Sequence, residues 1–282
     1  MTNAERVRER TRTLADIRTL LLDMDGVIYF GGGILTGVNE FLRFLRQEGI
    51  RFAFVTNGAN RWPEDHRAAL AARGIDVGDV PIITAGVATA RYLAEQHPGS
   101  RVYVIGGEGL RRQLVEVGGC ALDAECPDYV VVGWTADFDY DKLSLACRAI
   151  HRGARLILAD PDVNDPGPEF PSPGSGAFGA AIQAATGAPC LAIGKPNRIM
   201  LDAAMHELEA DVATAAIVGD RLDADIKGGK ALGIGTILVL TGITTPEMVA
   251  RSPLQPDWVV RDLPELHARW RDELRGRASP RA

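Results

Sequence analysis

The stretch "TLLLDMDGVIYFGGG" (19–33) sets an apolar run directly before two carboxylates, Asp23 and Asp25, with a glycine cluster behind them. A short apolar run that stops at acids reads as a buried strand whose end is polar. By itself a D-x-D pair is also what an ordinary solvated turn looks like, so the rest of the chain has to decide. Six further runs repeat the pattern: "FAFVTN" (52–57), "VYVIGG" (102–107), "YVVVGW" (129–134), "RLILAD" (155–160), "AAIVGD" (215–220) and "TILVLTG" (236–242). Helical patterns fit between them. "VNEFLRFLRQEG" (38–49) puts Phe41, Leu42 and Leu45 on one face and stops at a glycine, and "PEDHRAALAARG" (63–74) opens with proline and acids and stops likewise. Alternating strands and helices of this kind predict α/β architecture around mostly parallel sheets, buried on both faces.

The 282 residues are enough for one large α/β domain or for two, and two is the expectation. At 46% hydrophobic and 24% charged residues the chain is globular rather than disordered. A formal net charge of -6 argues against a general nucleic-acid binder, which needs clustered Lys and Arg. The four cysteines, Cys120, Cys126, Cys147 and Cys190, show neither C-x-x-C nor zinc-ligand spacing, so reduced structural thiols are expected. The N-terminus alternates charges without a signal-like apolar stretch, and no run approaches a membrane span, so a cytoplasmic protein without a membrane partner is expected. Residues 1–15 and the last eight, "RGRASPRA", read as fraying ends. The segment "DPDVNDPGPEFPSPGSGAFG" (160–179) breaks the strand–helix rhythm and reads as an irregular loop, long for a mere connector.

In an open parallel sheet, ligands bind beyond the carboxyl ends of the strands. There Asp23 follows "TLLL", Thr56 and Asn57 follow "FAFV", and Asp220 follows "AAIVG" with Asp223 and Asp225 close behind; Lys195, in "LAIGKP", precedes that last group. Each element is weak alone. As an ordered set, they are what phosphoryl transfer uses. A carboxylate about 4 Å from a singly charged phosphate oxygen is repelled by about 4 kcal/mol at an effective dielectric of about 20, so paired acids beside a phosphate need a compensating cation. Oxygen-only ligands at strand ends suit Mg²⁺. Lys195 adds a second positive charge, and the Thr56 hydroxyl with the amides of Asn57 and Gly58 offers a cradle for phosphoryl oxygens. Asp23 is then the nucleophile, and Asp25 the acid that protonates the leaving oxygen and later activates water.

In order and context, "DMDGVIY", "VTN", "GKP" and "GDRLDADI" resemble the four motifs of the haloacid dehalogenase-like superfamily of phosphohydrolases, over residues 17 to 245. The resemblance is to the branch with a class IIA cap, which includes NagD-type, para-nitrophenyl-phosphate, pyridoxal-phosphate, phosphoglycolate and glycerol-phosphate phosphatases. It implies a Rossmann-like, doubly wound parallel-sheet core over residues 1–87 and 189–282, with a smaller α/β cap inserted at 88–188. It implies Asp23, Asp220 and the backbone carbonyl of Asp25 as Mg²⁺ ligands, with Asp225 and Asp223 orienting metal-bound water from behind. Thr56, Asn57 and Gly58 would hold the phosphoryl group and Lys195 would neutralise it. The implied activity is Mg²⁺-dependent hydrolysis of a small phosphorylated metabolite through an aspartyl phosphate: a sugar phosphate, glycerol phosphate, phosphoglycolate, pyridoxal phosphate or nucleotide. Pairing of two copies through the cap is also implied, and the 160–179 loop would select the substrate.

The chain departs from the family pattern at Asp160, where many relatives carry Asn, and at Ala224, where they carry Thr. A catalytically silent metabolite-binding regulator is the alternative of a different class, which loss of Asp23, Asp25, Lys195 or Asp220 would favour; all four are present. A phosphotransferase or mutase differs only in the acceptor. "VYVIGGEGLRRQL" lacks the full G-x-G-x-x-G spacing of a dinucleotide site, and "PGSGAFG" has Pro173 where a serine-hydrolase elbow needs glycine.

Overall fold

The computed structural model describes residues 12–165 and 170–278. Among the described residues fifteen strands run in chain order: β1 (Thr19–Asp23), β2 (Tyr29–Phe30), β3 (Gly33–Ile34), β4 (Arg51–Thr56), β5 (Ile82–Thr84), β6 (Arg101–Ile105), β7 (Ala121–Leu122), β8 (Tyr129–Val132), β9 (Arg155–Leu158), β10 (Asn164–Asp165), β11 (Ser172–Pro173), β12 (Cys190–Ala192), β13 (Ala215–Gly219), β14 (Gly235–Val239) and β15 (Trp258–Val260). Six form one all-parallel sheet in the order β15-β14-β13-β1-β4-β5, and five form a second in the order β12-β9-β8-β6-β7, also all parallel. From β1 the chain builds outward through β4 and β5, then returns to the other side of β1 and builds β13, β14 and β15. The strand order therefore reverses between β1 and β13, which is where such sheets open a crevice at their carboxyl ends.

Period-two alternation assigns the faces of the six-stranded sheet. Leu20 and Leu22 of β1 join Phe52, Phe54, Val218 and Ile237 under the helices Val38–Gln47 and Leu263–Ala278, while Leu21 joins Ala53, Val55 and Ile217 on the opposite face. That opposite cluster also takes in Val104, Val131 and Ile157 of the second sheet, so the two sheets share one apolar core. Each such buried Leu, Ile or Val contributes roughly 1.5–3 kcal/mol by leaving water. The helix Val38–Gln47 buries Phe41, Leu42 and Leu45 as its spacing predicts, and Gly49 ends it in the left-handed region (φ 66°), which lets the Ile50 amide return to the Leu45 carbonyl at 2.9 Å.

The second sheet joins the runs read at 102–107, 129–134 and 155–160 with two short strands the sequence did not single out, β7 and β12. β12 pairs with β9 in register Cys190↔Leu156. Residues 87 and 88 lie inside one continuous helix, Ala85–Gln96, capped by the Thr84 hydroxyl. The interval 160–179 is not loop throughout: β10 and β11 pair antiparallel, and a helix, Ser175–Thr186, begins inside it. Its glycines serve close packing, since a Cβ on Gly176 would collide with the Pro161 carbonyl and one on Gly179 would press on Leu158. Residues 166–169 of that interval lie outside the described residues, as do 1–11 and 279–282 of the expected fraying ends. The described parts of those ends are ordered against each other: Ala15 donates its amide to Glu273 at 3.1 Å, and Arg277 pairs with Asp16 at 2.6 Å. Among the described residues no helix is long and apolar enough to cross a membrane.

Candidate active site

A cavity of about 100 Å³ opens at the carboxyl ends of β1, β4 and β13. Asp23, Asp25, Thr56, Asn57, Gly58, Lys195 and Asp220 all line it, so seven residues scattered over the chain converge. Asp225 sits directly behind. One carboxylate oxygen from each of Asp23, Asp220 and Asp225 lies within 4.8 Å of the other two, all three residues being buried.

Lys195 holds this cluster together. The side chain is 2% exposed, its Nζ 2.6 Å from Asp23 Oδ1 and 2.8 Å from Asp225 Oδ1, and it donates further to the Val55 carbonyl at 3.4 Å. Burial alone would strip its proton, but the two carboxylates more than offset that and hold the ammonium charged. Asp23 is shifted the other way: burial, together with repulsion from Asp225 and Asp220, raises its carboxyl well above the usual range against the pull of Lys195. Asp220 is pushed up to about 7 by burial and by Asp225, although the Ile243 amide donates to it at 2.7 Å. One ammonium group is too little cation for this many acids.

The segment after β13 splits the acid cluster. It turns as a wide π-type coil over Leu222–Ile226, closed by the Ile226 amide on the Arg221 carbonyl at 3.2 Å. Asp225 consequently points inward, where Lys195 Nζ and the Arg221 amide (3.1 Å) occupy its two oxygens. Asp223 points outward instead. Its largely exposed carboxylate pairs with Arg221 at 3.1 Å and does not reach the cluster. Glycine is required here by contact: a Cβ on Gly219 would strike Asp225, and one on Gly26 or Gly242 would strike Asp220.

Asn57 differs from its neighbours in the cradle. Its carboxamide is spent on the Lys195 turn, accepting the Lys195 amide at 2.7 Å and donating to the Lys195 carbonyl at 3.0 Å, with Asp162 at 3.2 Å. The side chain therefore sets the lysine. Thr56 is 3% exposed and its Oγ1 accepts the Gly58 amide at 3.1 Å. Asp25 stands at the mouth, more open than Asp23, with the Tyr29 hydroxyl donating to it at 3.2 Å; loss of surrounding solvent raises its carboxyl despite that bond.

Sequence reasoning missed Arg221, Asp162 and Asp165, which also line the cavity together with Asp160. Arg221 stands inside the quoted "GDRLDADI", and Asp162 follows Asp160 by two residues, but neither spacing tells which way those side chains turn. Arg221 reaches Asp162 at 3.5 Å and the Asn164 carbonyl at 3.5 Å, tying the 160–165 segment to the six-stranded sheet. In all, six carboxylates and two cations line the space. Buried carboxylate oxygens in excess of local cation, Asp23 and Asp220 foremost, are donors of the kind a hard divalent ion takes.

Residues 20–120 match the family model for haloacid dehalogenase-like hydrolases, and residues 192–266 match a second model described as HAD-hydrolase-like. The chain is 36% identical over 243 residues to the acid sugar phosphatase of Staphylococcus haemolyticus, covering 86% of this chain and 92% of that one. Among solved structures it is similar to a 4-nitrophenylphosphatase from Thermotoga maritima, with TM-score 0.86 and 38% identity over 90% of this chain and 98% of the other. It is also similar to NagD from E. coli K-12, with TM-score 0.81 and 30% identity over 88% and 98%. By motif order, sheet topology and these likenesses, the chain belongs to the haloacid dehalogenase-like hydrolases and is an enzyme of their phosphatase branch.

Proposed function

We propose that the protein hydrolyses phosphomonoesters of small metabolites with Mg²⁺, using Asp23 as nucleophile. The observation that carries this is the convergence of Asp23, Asp220 and Asp225 within 4.8 Å, bridged by the buried Lys195 and faced by Thr56 and Gly58 in one small cavity. Asp23, Asp220 and the Asp25 carbonyl would hold the ion, whose charge supplies the neutralisation that lets a carboxylate approach a phosphate.

Asp23 attacks phosphorus and the ester bond breaks, leaving an acyl phosphate on Asp23. The departing oxygen takes a proton from Asp25, whose raised pKa favours the protonated form needed for that step. Asp25 then accepts a proton from the water that cleaves the acyl phosphate, which restores Asp23 and releases inorganic phosphate. Thr56 and the Asn57 amide hold the non-bridging oxygens, joined by the Gly58 amide once it leaves Thr56 Oγ1, its partner at 3.1 Å, with Lys195 neutralising them. Asp225 keeps Lys195 charged and aimed. Asp223, paired outward with Arg221, orients that arginine.

The relatives named for sugar phosphates and for 4-nitrophenyl phosphate support a compact monoester as substrate. The test is phosphate release from sugar phosphates, glycerol phosphate, phosphoglycolate, pyridoxal phosphate, nucleotides and 4-nitrophenyl phosphate. Turnover on at least one ester, lost with EDTA and restored by Mg²⁺, is expected; activity indifferent to EDTA counts against the metal.

A further inference from the structure

The glycine-rich turn in "VYVIGGEGLRRQL" (102–114) has a neighbour of its own. The Gly107 amide donates to Asn60 Oδ1 at 3.2 Å, and a Cβ on Gly109 would collide with the Asn60 carbonyl oxygen. The turn closes on loop 59–61 of the six-stranded sheet's side, the residues that directly continue Thr56–Gly58. One turn further along the same helix, Glu108–Glu116, Gln113 has no exposed surface. Its Nε2 faces three carbonyl oxygens, those of Ala59 and Arg61 at 3.1 Å each and that of Gly109 at 3.0 Å, while its Oε1 accepts the Thr84 hydroxyl at 3.1 Å. Gly86 makes the room, since a Cβ there would collide with the carboxamide.

A carboxamide has two N–H donors, so two carbonyls suffice to satisfy it, and the Ala59 and Arg61 carbonyls, with the Gly109 carbonyl of the same helix, share them. A buried polar group so satisfied narrows the geometry around it, and displacing the Ala59 carbonyl leaves a buried carbonyl unpaired. Apolar packing would not require the Ala59 and Arg61 carbonyls to face one point. A hydrogen-bonded amide does.

We propose that Gln113 is a positioning residue for the phosphate cradle: from the helix that follows β6 in the second sheet, it fixes loop 59–61 and thereby the course of the backbone through Asn57 and Gly58, whose own amide rests on Thr56 Oγ1. The inference rests on the reading of Thr56–Gly58 as that cradle. Gln113 touches no substrate, so its effect falls on phosphate affinity before it falls on the chemical step.

Gln113→Met keeps length and bulk and removes both donors. The expected result is that KM for 4-nitrophenyl phosphate and the competitive inhibition constant of inorganic phosphate rise together by about tenfold, with the Mg²⁺ requirement unchanged. Amide hydrogen exchange should quicken in a peptide covering 57–61 and not in peptides covering 19–25 or 215–226. Thr84→Val, which removes one hydrogen bond to the same carboxamide together with the cap of helix Ala85–Gln96, should give a weaker shift in the same direction, and serves if Gln113→Met does not fold. A lower melting temperature with unchanged phosphate inhibition, or unchanged exchange at 57–61, overturns the proposal. If the unmodified protein releases phosphate from no ester, the phosphatase reading fails on its own, and the exchange measurement still decides Gln113.

Discussion

Both sheets aim their carboxyl ends at the same cavity, but they deliver side chains in different states. At the six-stranded sheet, Asp23 and Asp220 leave β1 and β13 buried, each tied to a fixed donor, the Lys195 ammonium or the Ile243 amide. At the five-stranded sheet, β9 leads into Asp160, Asp162 and Asp165 on a segment that reaches the first sheet through a few polar contacts, to Asn57 and Arg221. Asp165 has no ion-pair partner among the described residues. A site of fixed reaction needs rigid groups at the reacting atom, whereas selection among leaving groups is done by whatever faces the rest of the substrate. Lys195 crosses this division: it works among the acids of the first sheet, yet it is delivered by β12 of the second.

Four measurements break or sharpen that contrast. Asp23→Asn removes the proposed nucleophile and should lower turnover by about 10⁴-fold or more with the fold intact, read as phosphate release against circular dichroism; near-native turnover would require another nucleophile. Lys195→Met leaves Asp23 and Asp225 buried and unpaired, so a loss of about 3 to 5 kcal/mol in chemical denaturation should accompany the loss of turnover. A stable, active variant would show that the second sheet's lysine is dispensable. Asp162→Ala should change the ratio of kcat/KM between two esters by about tenfold while leaving the Mg²⁺ requirement in place. Equal losses on every ester, with weaker Mg²⁺ dependence, would erase the distinction between the two sheets.

The smallest effect is a pH slope. Burial, with repulsion from Asp162, pushes Asp160 from the ordinary 3.8 up to about 8. The folded protein then keeps a proton that the unfolded chain gives up, so this carboxyl costs nothing below about pH 4 and its cost grows as pH rises to about 8. Asp160→Asn should flatten the fall of melting temperature over that window. A slope unchanged by the substitution would assign the pH dependence to other groups, Asp220 first among them.

Much of this was legible before any coordinates. Asp23, Thr56 and Asp220 stand where apolar runs stop, and burial on both faces makes those runs unmistakable as parallel strands. The family motifs then ordered Lys195 among them. Asp223 and Asp225 were not separable, because a spacing of two predicts opposite faces only once the backbone geometry is known, and here it is a π-type coil. Asn57 was read as offering its backbone amide to phosphate, and no signal in the sequence showed that its carboxamide is committed to the Lys195 turn 138 residues away. Neither Arg221 nor Asp162 gave a signal beyond being charged.

What the sequence settled alone was which residues end strands, since hydrophobic periodicity is a local property that survives without a partner. Tertiary structure decided which strand ends meet, that β12 belongs to the second sheet and still carries the lysine into the first sheet's acids, and that a glutamine on a distant helix closes on the loop behind the cradle. Those outcomes depend on pairing and side-chain direction between segments far apart in the chain, and no short window of residues contains that information.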